Sequence, residues 1–175
     1  MQTPVLVGVL VLGLTIVAVG QAPDQRLTAQ LKRLFPDASV FSSKEGSPPH
    51  FKAFVADPQT GARTIAGYAF WTTELEPLER GYDGPIKILV GINPKGRLAG
   101  VLVVDHHEPY GYFSVDPPEF AAQFKDKDIR DAFKVGDDVD AVSRATMTIT
   151  SATRAIRNGA RRLARQLLTP PDTAR

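Results

Sequence analysis

Between Asp140 and Arg154 the chain reads "DAVSRATMTITSATR", and six of these residues carry hydroxyls: Ser143, Thr146, Thr148, Thr150, Ser151 and Thr153. Hydroxyls crowded at the start of a helical pattern suit two kinds of chemistry. They can cap the helix, accepting from the unpaired N–H groups of its first turn. They can also surround an anion, because those N–H groups and the helix dipole favour a phosphate. Capping needs one or two hydroxyls rather than six, and Arg144 and Arg154 add positive charge to the stretch. Spacing and composition leave both a capped helix and a phosphate-bearing ligand open.

Few other chemical handles exist. The 175 residues include no cysteine, which excludes disulfides, thiol nucleophiles and thiolate metal sites. The histidines are His50, His106 and His107, too few to bind a metal without carboxylates. No nucleophile elbow is present, and the glycines of "GINPKG" lack phosphate-loop spacing and read as a hairpin turn. The 21 basic and 19 acidic residues leave a net charge of +2. Much of the basic excess lies along the last helical pattern, which argues against a nucleic-acid surface.

The elements that position these groups follow from period and punctuation. Seventeen uncharged residues from Pro4 to Gly20 meet the lower length limit for a spanning helix, so residues 1–22 are expected to form a single membrane anchor. A removed signal peptide and a buried core helix are the alternatives. Arg26, Lys32 and Arg33 follow the span, and the charge rule alone would keep the rest of the chain in the cytoplasm. Residues 23–50 read as an amphipathic helix, with Leu27, Leu31 and Leu34 on one face and Pro36 as a stop, followed by a linker. From residue 51 the period becomes that of strands. Two extended runs flank a turn at Asp57–Gly61, and two more, with Ile86, Ile88 and Val90 alternating, flank "NPKG". One or two short helices are expected from Asp116 to Phe133, and a long one from about Thr150 to Leu168, with residues 169–175 as a tail. The expected fold class is α+β: a small antiparallel sheet of four strands packed by helices on one side, behind the anchor.

Asp140 to Thr146, "DAVSRAT", resembles the flavinylation motif of the FMN-binding domain family. That family includes flavoprotein subunits of sodium-pumping quinone reductases and Rnf complexes, and a domain of the nitrous oxide reduction regulator. "GYDGPIKILVGIN" resembles the family's glycine–aromatic–x–glycine lead into its central strand. "VVDHHEPYGYF" partly resembles the segment that ends the next strand. Read alone, the first is an ordinary turn and the second a solvated strand end. In this order the resemblance covers roughly Phe51 to Leu168.

The resemblance implies an FMN cofactor esterified through its phosphate to Thr146 by a dedicated flavin transferase that uses FAD. Asp140 and Ser143 would be recognition positions. Arg144, Ala145, Thr148, Gly81, Tyr82, Gly84, His107 and Glu108 would join them around the cofactor. Arg144 stands where the family usually has Gly, so a tight turn there must accept a side chain. The family also implies a domain on the periplasmic face of the bacterial inner membrane, against the mild charge bias. The expected role is electron relay among subunits of a membrane redox complex, with FMN supplying the redox chemistry and the protein tuning it. An accessory subunit that keeps the fold without the flavin is the alternative.

Overall fold

The structure, a computed structural model, describes residues 22–168. The expected anchor at residues 1–22 therefore lies outside the described residues except for its last position, and the tail lies outside them altogether. No helix among the described residues is long and apolar enough to cross a membrane.

Five antiparallel strands form one sheet in sequence order: β1 (Val40–Phe41), β2 (Phe51–Ala56), β3 (Arg63–Trp71), β4 (Lys87–Ile92) and β5 (Leu98–Asp105). The expected pair of hairpins is present, with the Asn93–Gly96 turn closed by Gly96 N donating to Asn93 O. Strand β1 is additional to the expected four. Its two residues pair with Phe54 and Ala53 within a stretch whose composition reads as linker, too short to set up a period.

Helices cover both faces of the sheet rather than one. On one face lies α5 (Thr146–Leu167), whose Ile149, Ile156 and Leu163 are fully buried against Phe70, Ile88, Val90 and Leu98. Each such side chain contributes about 1.5–3 kcal/mol by leaving water. On the other face lies α1 (Gln25–Leu34). The Asp24 carboxylate accepts from Leu27 N at 2.7 Å to cap it, and Leu31, Leu34 and Phe35 pack on Ala69, Trp71 and Leu89. Two covered faces explain why β4 is apolar from Ile88 to Ile92, "ILVGI", instead of alternating.

Short helices fill the connections: α2 (Thr72–Leu75), α3 (Gly111–Ser114) and α4 (Pro118–Ala122). Thr72 ties α2 to the start of β4, since its hydroxyl donates to Ile86 O and accepts from Ile88 N, both at 2.9 Å. Lys87 pairs with Asp105, so the loop entering β4 and the loop leaving β5 emerge at the same end of the sheet. The start of α1 reaches that end too, on the opposite face, where Asp24 and Leu27 border a cleft with Trp71, Lys87 and Asp105.

The basic stripe of α5 is largely used within the fold. Arg154 pairs with Glu79 at 3.1 Å, and Arg162 pairs with Glu76 at 3.0 Å. Arg161 donates to the carbonyls of Ile129 and Asp131, both at 2.7 Å. These contacts fasten the helix to its neighbours.

Candidate functional site

Helix α5 begins at Thr146, one turn earlier than its apolar stripe suggests. Its N-cap is Ala145, and no side chain caps it. The cap role read for the hydroxyl run is therefore not the one the structure shows. Thr148, Ser151 and Thr153 lie on the buried face of the helix, and the first-turn N–H groups of Thr146, Met147 and Thr148 have no acceptor among the described residues. The Thr146 hydroxyl is exposed and likewise makes no hydrogen bond among them.

Just before the helix, Ala145 N donates to Val142 O at 3.1 Å, closing a turn whose third residue is Arg144. Arg144 has φ +68°, the left-handed conformation that glycine adopts without a steric cost. A turn that needs glycine is thus built with arginine.

A cleft of about 350 Å³ opens beside the helix start, lined by Tyr82, Pro109, Tyr110, Arg144, Ala145, Thr146, Met147 and Thr148. Tyr82, Tyr110 and Met147 expose apolar surface around it. The cleft is supported from behind by Glu108, only 6% exposed. Glu108 Oε2 accepts from Tyr82 N at 3.0 Å, and Oε1 accepts from Asp83 N at 2.9 Å. Oε2 also accepts from the Thr148 hydroxyl. One carboxylate therefore joins the end of β5, the loop before β4 and the first turn of α5. Buried in this way, it is stable only because its lone pairs are matched by donors.

Gly81 makes room for this arrangement. A Cβ there would lie 2.3 Å from Glu108 Oε1. Gly81 N donates to Gly84 O at 2.7 Å, and Gly84, with φ +117°, lets the loop turn back. The glycines in "GYDG" thus give a backbone that can donate two N–H groups to one carboxylate.

The expected site residues fall into three groups. Tyr82, Arg144, Ala145, Thr146 and Thr148 line the cleft, and Gly81, Gly84 and Glu108 build the loop behind it. Asp140, Ser143 and His107 do not line it; all three are exposed, and Asp140 is held through its backbone N–H to Gln123 Oε1 at 2.6 Å. Pro109 and Met147 line the cleft without being among the expected site residues. Of the three tyrosines expected to pack a flat ring, Tyr82 and Tyr110 line it and Tyr112 does not. His106 is a further residue that the motifs do not mark. Its Nδ1 accepts from Glu108 N at 3.1 Å, and its Nε2 lies 2.8 Å from Asp116 Oδ1.

A larger groove of about 940 Å³ lies at the far end of the sheet, beside Pro94, Ile129, Arg161 and Leu168. Arg161 there is already taken up by backbone carbonyls, and the hydroxyl run is nowhere near.

An uncapped helix start, an unbonded threonine hydroxyl and an aromatic-walled cleft define a domain suited to a phosphate that carries a flat ring. Residues 81–161 match the FMN-binding domain family, from the glycine loop through most of α5. The G component of the ion-translocating oxidoreductase complex of Haemophilus influenzae (strain PittEE) is 47% identical over 47 residues, covering 27% of this chain and 21% of that protein. The G component of the proton-translocating ferredoxin:NAD(+) oxidoreductase complex of Clostridium ljungdahlii is 30% identical over 135 residues, covering 73% of this chain and 66% of that protein. The chain thus matches about a fifth of the Haemophilus relative's length and about two thirds of the clostridial one's. It belongs to the FMN-binding domain family, whose cofactor is FMN.

The residues at hand fit that group. The free N–H groups of Thr146, Met147 and Thr148 can receive the phosphate, and Tyr82 and Tyr110 stand where the ring system could pack.

Proposed function

We propose that this protein is an electron-transfer flavoprotein subunit of a membrane redox complex, with FMN joined by a phosphoester to Thr146. The observation that carries this reading is the free Thr146 hydroxyl at the uncapped start of α5, inside the cleft between Tyr82 and Tyr110. Bound FMN would supply one- and two-electron redox chemistry.

The protein's part is to bind, orient and hold charge. The α5 N-terminus stabilises negative charge on the phosphate, and Arg144 adds a cation beside it. Glu108 keeps the Tyr82 loop fixed relative to the helix, so the aromatic wall is set in place. Attachment would call on a flavin transferase that uses FAD: Thr146 would supply the hydroxyl oxygen to the phosphorus of the FMN half, AMP would leave, and the hydroxyl proton would pass to solvent.

Relatives in ion-translocating complexes support a place among membrane redox subunits, with the donor and acceptor on partner subunits. The uncharged run from Pro4 to Gly20 supports a single-span anchor in a bacterial inner membrane, and the family resemblance supports a periplasmic domain. One observation favours a second reading, an accessory subunit without flavin: Arg144 holds the left-handed position where the family usually has glycine.

Intact mass of the membrane-extracted native protein, with Thr146→Ala alongside, separates the two. An FMN increment on the native chain that disappears in the variant is expected. An unmodified, colourless native chain would overturn the flavin reading and leave the accessory subunit. The variant should fold normally, because Thr146 is exposed and unbonded.

A further inference from the structure

Behind the cleft, the ring of His106 bridges two segments. Glu108 N donates to Nδ1 at 3.1 Å, so Nδ1 carries no proton, and the ring hydrogen sits on Nε2, where it donates to Asp116 Oδ1 at 2.8 Å. The side chain is 13% exposed, and Gly111 packs directly on its edge, where a Cβ would lie 2.0 Å from Cε1. The segment between these contacts is the one that brings Pro109 and Tyr110 to the cleft wall. Gly111 N donates back to Glu108 O at 3.1 Å, and Asp116 N donates to Gly111 O at 3.0 Å, so the segment closes around the imidazole.

We infer that His106, fixed by Asp116 as the Nε2–H tautomer, is a positioning residue of the cleft: its Nδ1 sets the Glu108 backbone, and through Glu108 the Tyr82–Asp83 loop and Thr148. This rests on the cleft being the flavin site. It assigns a role to a histidine that touches no cleft surface itself. Carboxylate-oriented imidazoles fix neighbouring groups in the same way at metal sites, where the outer partner sets which ring nitrogen is free.

Two substitutions separate the nitrogens. In His106→Asn the amide oxygen can take the place of Nδ1 and still accept from Glu108 N. In His106→Gln the amide reaches Asp116 but leaves Glu108 N unpaired. The full-length, detergent-extracted chain is compared in three forms by hydrogen exchange at the amides of Tyr82, Asp83 and Glu108, and by affinity for added FMN in a Thr146→Ala background. The expected result is protection and affinity close to wild type for His106→Asn. His106→Gln should lose protection at all three amides and about tenfold in affinity, the equivalent of ~1.4 kcal/mol. Equal behaviour of the two variants, whether both intact or both impaired, overturns the assignment. If the Thr146→Ala parent binds no FMN while the native chain carries the FMN mass, the amide exchange alone decides whether Nδ1 positions Glu108; if the native chain carries none either, the flavin reading of the cleft fails.

Discussion

Thr148 donates its hydroxyl proton to Glu108 Oε2, which ties the carboxylate behind the glycine loop to α5 two residues beyond Thr146. Both groups are buried, at 3% and 6% exposure, so neither can exchange its partner for water. The contact spans forty positions of sequence and fixes the helix start relative to the loop before β4.

Removing the hydroxyl while keeping its shape tests that link. Thr148→Val leaves one lone pair of Glu108 without its donor, and a cost of about 1–3 kcal/mol is expected. Thr148→Ser should recover most of it. Urea unfolding of the three chains is the measurement, and a Val variant as stable as the parent would show that Glu108 is held by Tyr82 N and Asp83 N alone.

Arg144 gives a prediction of opposite sign. Its φ of +68° places a Cβ in the left-handed region, which costs a non-glycine residue roughly 1–2 kcal/mol. Glycine loses more chain entropy on folding, so Arg144→Gly should gain a net ~0.5–1 kcal/mol. Arg144→Ala keeps the Cβ and should gain nothing. Thermal unfolding distinguishes them, and a stabilised Ala variant would trace the strain to the long side chain instead of the backbone.

Asp138 controls the loop just upstream of the hydroxyl run. Burial raises its pKa, but hydrogen bonds from Lys134 N, Lys127 and Phe133 N, with the Lys127 charge, together pull it below the ordinary carboxylate value. A depressed carboxylate contributes stability that is present above the unfolded value of about 3.9 and is lost as pH falls through the folded one. Stability should therefore fall on acidification below about pH 4. Asp138→Asn should be less stable at pH 7 and show a shallower decline in acid. Asp57 and Asp128 are shifted in the same direction, so the decline should flatten without vanishing. Guanidinium unfolding at a series of pH values checks the slope. An unchanged slope would place the acid sensitivity in those other carboxylates.

Much of the sheet is legible in the sequence because strand period and turn residues are local. "NPKG" marks its hairpin without reference to the rest of the chain. The second covered face is less visible. Leu27, Leu31 and Leu34 show that α1 has an apolar side, but not that the side meets Ala69 and Leu89. The hydroxyl run misleads in part for a related reason. Thr148 looks like a cap residue by type, and only the distant Glu108 gives its hydroxyl a different partner. His106 and His107 are indistinguishable as letters. Their roles separate because one ring turns inward to Glu108 N and Asp116 while the other residue is exposed. The backbone N–H groups of Tyr82 and Asp83 leave no mark on side-chain chemistry beyond the glycines that let them converge.

The start of α1 and the cleft share one end of the sheet. If the apolar run ending at Gly20 is held in a bilayer, the three residues before Asp24 give a leash of at most about 10 Å. A leash that short permits tilting and turning about one point and little else. The cleft would then sweep a shallow cap just above the lipid headgroups, and under the proposed electron-transfer role a redox partner would have to present its own centre near the membrane surface.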